Sequence, residues 1–280
     1  MRFIKLVRYD FKNGIIRAYR HFLVLAGITA IFCTDYCIRF MGVQKESAIS
    51  LDIFTGDLFF YIFSGLKVFN ENEKRNFNIP AIWLLIMAVL FYFIINYAFK
   101  DLNGFGKHIL INSKSRKLWL ISKYVWVVEF LTFSFFVIIT VCCIFSLIFK
   151  MDFSVSVSPT AQKIALNESF FSTHNQVINY GMNIFMPYIT LLALGIFQLT
   201  TTLIFKPMLS YIISFIQLIT STFVVSAFIP GNYAMFLRII PFAESGFDIS
   251  ECLICSAVII AFSISVGLSV FKRYNIIGRE

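Results

Sequence analysis

The sequence predicts an all-α polytopic membrane protein with six transmembrane helices, an N-terminal interfacial amphipathic helix and a cytoplasmic coupling helix. Three observations predict it. The chain is 59% hydrophobic with 35 Phe, and its mean hydropathy is +0.80, far from the roughly half-apolar mix of a soluble domain. Several apolar runs exceed the ~18 residues that cross a hydrocarbon core as a helix, and none alternates as a β-barrel strand would. The basic residues gather in the short segments beside those runs, the pattern by which Lys and Arg hold loops in the cytoplasm. That placement also accounts for the formal charge of +9 without nucleic acid, because no soluble basic domain is present.

Residues 1–21 form the interfacial helix. Ile4, Val7, Phe11, Ile15, Ala18 and Phe22 recur on one helical stripe, while Arg2, Lys5, Arg8, Lys12 and Arg20 lie off it. Asn13-Gly14 interrupts the middle. No small-residue cleavage site follows, so the segment does not read as a signal peptide. The first span, about 22–41, carries Asp35 and Arg39 near its far end, four residues apart and able to pair. Residues 42–79 include the apolar stretch FTGDLFFYIFSGLKVF, bracketed by Asp57 and Lys67 and too short for a span. It reads as a surface or re-entrant helix, and a seventh span there would put the basic segments on opposite sides.

The second span, about 80–99, opens at Pro80, with Trp83 at interface depth. The third, about 122–149, contains Glu129, which either lines a polar cavity or pairs with a basic side chain. A polar outer loop leads to spans at about 182–205 and 208–229, antiparallel neighbours joined by the tight turn Lys206-Pro207. Thr200, Thr201 and Thr202 let helices approach closely there. Residues 230–251 hold two prolines and two glycines and read as short helices dipping into the outer interface. A sixth span, about 252–271, ends in Lys272-Arg273. The whole chain is then one transmembrane domain with both termini in the cytoplasm.

Candidate functional residues fall in two groups. One is the intramembrane charges Asp35, Arg39 and Glu129, since ionisable groups inside spans mark function by default. The other is the connection Lys100 to Lys123, where six basic residues meet the single acid Asp101. Cys252-x-x-Cys255 stands without a second pair or a nearby His, so simple packing explains it better than metal or redox chemistry. No His, Asp, Glu or Ser constellation of catalytic spacing lies within the spans, so enzymatic activity is not expected of this chain.

Between Pro80 and Trp126 the residues Gly106, Ile109-Leu110, Ser113-Lys114-Ser115-Arg116-Lys117, Trp119, Ser122-Lys123 and Trp126 resemble the permease subunits of bacterial type-2 ATP-binding-cassette exporters, of a Firmicute type. The layout of the whole chain resembles that class too. The resemblance implies a coupling loop made of Gly104, Gly106, Lys107, His108, Ile109, Leu110, Ile111, Asn112, Ser113, Lys114, Ser115, Arg116 and Lys117, docked on a separate ATPase dimer. It also implies a second permease chain, identical or paralogous, residence in the bacterial cytoplasmic membrane, and a hydrophobic or amphipathic cargo. The chain carries no G-x-x-x-x-G-K-[ST] loop, so ATP and Mg are expected on the partner and no cofactor here. Two alternatives stand beside it. One is an immunity or assembly subunit that moves nothing. The other is an ion-coupled secondary transporter, for which inverted repeats and midplane charges are expected and not found.

Overall fold

The computed structural model describes residues 2–47, 52–67, 79–104, 115–166, 177–179, 181–243 and 245–273. Five helices among them are long and apolar enough to cross a membrane, which makes the chain an all-α polytopic membrane protein. In chain order they lie in α2 (Tyr19–Ser47), α4 (Ala81–Asn103), α5 (Arg116–Ile148), α7 (Met186–Ile204, after a 3-10 turn Gly181–Phe185) and α9 (Ile249–Arg273). Before them comes α1 (Arg2–Phe11), between them sit α3 (Thr55–Phe63) and α6 (Pro159–Leu166), and α8 (Pro207–Phe223) is a shorter apolar helix. Two-residue strands β1 (Ser156–Val157) and β2 (Ile178–Asn179) pair antiparallel beside α6.

The bundle is built on α7, which packs most extensively against α9 and also touches α4, α5 and α8. Its buried Thr200 shows why the threonine run is there. The Thr200 hydroxyl lies 2.9 Å from the Tyr124 hydroxyl of α5 and 3.2 Å from the Ser263 carbonyl of α9, tying three helices at one point. Thr201 and Thr202 both reach Ser210 of α8 across the Lys206-Pro207 turn, so α7 and α8 are the antiparallel neighbours the tight turn demands. On the other side α2 lies along α5, with Phe22 against Phe130 and Phe133.

The predicted helix over 208–229 ends early, at Phe223. The reason is a buried cation. Arg238, 1% exposed, donates to the carbonyls of Ser221, Thr222 and Leu66 and to the side-chain oxygen of Asn232. Asn232 in turn donates to the carbonyls of Val224 and Ser226. The last-turn carbonyls that would otherwise need a continuing helix are thereby satisfied by side chains. Both residues sit in 3-10 turns, Pro230–Ala234 and Phe236–Arg238, in a wholly buried run that plugs this end of the bundle.

The stretch at 55–63 is a helix of nine residues, too short to span, and it is no surface helix: Gly56 to Phe63 are all buried. Phe60 stacks on Phe236 and packs on Phe242, so α3 and the 3-10 plug form one unit. Gly56 meets the Ser156 carbonyl so closely that a Cβ would stand 2.3 Å from it. The predicted pair Asp35 and Arg39 forms at 3.0 Å on α2, and the Tyr61 hydroxyl of α3 donates to the same Asp35 oxygen at 2.5 Å. At the start of α4 the Trp83 indole is buried, and its N–H donates to the Ala234 carbonyl at 2.9 Å, so its polar edge is held by protein.

Asp57 ties this unit to α6. Its carboxylate accepts from the backbone N–H of Phe54 at 3.0 Å and of Ser158 at 2.7 Å, which caps α3 and fixes the approach to α6. Burial pushes its pKa up to about 6 in spite of those donors. A folded value raised above the unfolded one means that its stabilising effect is complete below the unfolded pKa and fades as pH rises through about 6. Thermal unfolding of the detergent-solubilised protein should therefore shift upward as pH falls from 7.5 to 5, and Asp57→Asn should flatten that dependence. An unchanged pH profile in the variant would assign the effect to another group.

Candidate functional site

The site lies at the opposite end of the bundle, where α1 meets α4 and α5. A four-residue spacing presents Leu6 and Asp10 of α1, and Gly14 of the turn after it, to the protein, while Ile4 and Ile16 stay exposed. Of the apolar stripe read from the sequence, Ile15 is buried and Ile4 is not. At Asn13-Gly14 the helix widens into a π turn, Lys12–Ile16, with the Arg17 N–H reaching the Lys12 carbonyl at 3.1 Å. Single π turns of this kind recur at functional sites. Glycine is required at its centre, because a Cβ on Gly14 would lie 2.1 Å from Trp126 Nε1 and 2.8 Å from the Tyr97 ring.

Lys123 of α5 is the centre of the site. Its ammonium, 1% exposed, sits 2.5 Å from an oxygen of Asp10 and 2.5 Å from an oxygen of Asp101 at the end of α4. The Tyr97 hydroxyl donates to Asp10 at 2.7 Å, and the Tyr9 hydroxyl donates to Asp101 at 3.1 Å. Three rings surround the cation, Trp119 at 4.9 Å, Tyr97 at 5.0 Å and Tyr9 at 5.9 Å. Burial first, and the Asp101 charge second, push the Tyr9 pKa up to about 12, which keeps its hydroxyl a donor at neutral pH.

The set holds one ammonium between two carboxylates. An ammonium or carboxylate taken out of water costs several kcal/mol, and here Lys123 offsets both acids with the help of the tyrosine hydroxyls. Three elements far apart in sequence are thus held in one relation: α1 through Asp10, the end of α4 through Asp101 and the start of α5 through Lys123. A cavity of about 360 Å³ opens beside them, lined by α1 and the π turn on one side and by α4 and Trp126 on the other. Among the described residues no group of His, Cys, Asp and Glu has the geometry to hold a metal.

The residues expected from the sequence are distributed as follows. Asp35 and Arg39 pair with each other at the far end and take no part here. Glu129 lies on α5, half-buried, and its Oε2 is enclosed with no hydrogen-bond partner, so of its two readings the pairing with a basic side chain is not found among the described residues. Of the coupling loop, Gly106, Lys107, His108, Ile109, Leu110, Ile111, Asn112, Ser113 and Lys114 lie outside the described residues. Gly104 follows the last turn of α4, Ser115 caps α5 by accepting from the Leu118 N–H, and Lys117 is exposed. Arg116 donates to the Lys272 carbonyl at the end of α9, 2.9 Å away. The joint of Asp10, Asp101 and Lys123 was missed. Its signal was a lone acid in each of two strongly basic segments, with aromatic residues four positions before both Asp101 and Lys123.

Removing one member of a buried ionic set costs more than replacing the whole set. Lys123→Met should leave two carboxylates facing each other and destabilise the protein by about 3–5 kcal/mol. The triple variant Asp10→Asn, Asp101→Asn, Lys123→Met should recover most of that loss, read from melting of the purified protein in detergent. A triple variant no more stable than the single one would show that the three residues do not act as a set.

No curated protein and no solved structure matches the chain. One family model does, that of the protein of unknown function DUF2705, and it covers residues 63–277. The matched region takes in Asp101 and Lys123 and every helix from α4 onward, and leaves α1 outside. With most of its length matched, the chain belongs to the DUF2705 family, as a multi-spanning, largely α-helical membrane protein.

Proposed function

We propose that the chain is the membrane-spanning permease subunit of an ATP-driven exporter, coupled to a separate ATPase dimer through residues 104–117 and paired with a second permease chain. The observation that carries this reading is the position of the Lys123 joint. Asp101 lies in the last turn of the helix before the loop, Lys123 lies seven residues into the helix after it, and Lys123 pairs with both Asp101 and Asp10. A displacement imposed on the loop therefore reaches α1, α4 and α5 together. A coupling element requires this, because a partner shifts a two-state equilibrium only through contacts that differ between the states.

The opposite end supports the same reading. Trp83 and Asp101 are 18 residues apart on α4, about 27 Å at 1.5 Å per residue, close to the thickness of a hydrocarbon core. One end is closed by the 3-10 plug under Trp83 and the other is joined by Lys123. The bundle is thus closed at one boundary and mechanically linked at the other. On this reading α8 is the sixth span, a short one that gives way to the 3-10 plug. The joint faces the cytoplasm with both termini, in a bacterial cytoplasmic membrane, and the cargo is hydrophobic or amphipathic.

Replacing Ile109, Leu110 and Ile111 with Ser, with every Lys and Arg kept, should leave insertion intact, release the ATPase on purification and abolish ATP-dependent export. Retention of the ATPase with hydrolysis still coupled to transport would place the docking site elsewhere. Orientation has its own test: in intact cells a membrane-impermeant thiol reagent should label a cysteine at Ser250 and spare one at Lys206. The reverse labelling would turn the protein over and remove the loop from the ATPase.

A further inference from the structure

The cavity beside the joint is unusual in its chemistry. Its deep wall is the Trp126 indole, whose ring is 1% exposed and whose Nε1–H is enclosed without a hydrogen-bond partner. A buried N–H left unpaired is costly, and an indole is a donor only, so the group that completes it is an acceptor. At the rim stand Arg17 from the turn after the π helix and Lys100 from the last turns of α4, both exposed. The carboxylate on the cavity floor, Asp101, is engaged by Lys123 and by the Tyr9 hydroxyl. A donor in the wall and two cations in the lining of one cavity match an oxyanion.

The surroundings identify where that anion comes from. The α4 face next to Lys100 exposes Leu85, Tyr92 and Phe99, seven residues apart and so on one side of the helix, and α2 exposes Leu23 and Val24 alongside. These are faces for acyl chains. A volume of about 360 Å³ accommodates a small headgroup, and basic pockets between helix ends at a membrane surface are a recurrent phospholipid site.

We infer that this cavity binds the phosphate of one anionic phospholipid from the leaflet on which α1 lies, with Arg17 and Lys100 holding the charge, the Trp126 N–H directed to an oxygen and the acyl chains along Leu85, Tyr92 and Phe99. The lipid clamps α1 to α4 beside the Lys123 joint, whether or not the chain serves an exporter.

The full-length protein in detergent, mixed with dioleoylphosphatidylglycerol or dioleoylphosphatidylcholine, is read by native mass spectrometry for retained lipid. One phosphatidylglycerol should be retained in preference to phosphatidylcholine on the order of tenfold or more. Arg17→Gln/Lys100→Gln should lose that preference. Arg8→Gln/Arg20→Gln, which removes equal charge from the same end outside the cavity, should keep it. Trp126→Phe, which keeps a ring against Tyr97 and deletes the donor, should weaken retention several-fold while the protein stays monodisperse. Equal loss in the two double variants would reduce the effect to general surface attraction and overturn the site. Displacement of the lipid by excess inorganic phosphate would assign the cavity to the free ion and overturn the lipid.

Discussion

A single buried ammonium sets the geometry of one end of this protein. Lys123 is 1% exposed, so its charge must be met inside, and among the described residues the carboxylates that reach it belong to α1 and α4. That constraint dictates the π turn: α1 must run close enough to bring Asp10 in, and the widened turn with Gly14 at its centre lets it lie directly on Trp126. Polar groups inside a membrane protein are satisfied internally because lipid offers nothing in exchange. The joint is therefore strongly directional. The aromatic cage of Trp119, Tyr97 and Tyr9 narrows it further, because a cation held over ring faces gains little from moving sideways.

The far end uses a different solution to the same problem. Arg238 is equally buried but meets carbonyl oxygens and one amide in place of carboxylates. Its guanidinium offers five donors in a fixed fork, well suited to a cluster of carbonyls at a helix C-terminus, where the helix dipole also favours a positive charge. Desolvation pulls its pKa down to about 10, still well above neutral, so the charge is retained. One end of the molecule is thus held by an ion set that spans three elements, and the other by a cation that stitches irregular backbone to a helix end.

Hydropathy and basic-residue placement made the spans legible, since a run such as Val125 to Ile148 has no other stable environment. Pairing within one helix was legible too: Asp35 and Arg39 are four residues apart, and helical geometry alone brings them together. The joint was not, because Asp10 and Lys123 are separated by 113 positions and nothing local to either predicts the other. The early end of α8 was hidden for the same reason, as the side chains that stop it come from the 230s. The apolar stretch within 42–79 reads as a surface or re-entrant helix because composition reports how apolar a segment is and not what covers it; the cover includes Phe135 of α5 together with Phe236 and Phe242.

The burial of α3 carries a consequence for how the chain is made. This helix emerges early, and α2, α4 and α5 all pack on it, yet Phe236 and Phe242, which close over Phe60, are synthesised more than 170 residues later. Until then the Phe60 face of a nine-residue helix, too short to span, lacks its last aromatic partners. A chain that stops before residue 230 therefore carries α3 with one aromatic face open, and quality control has a physical handle on every unfinished copy.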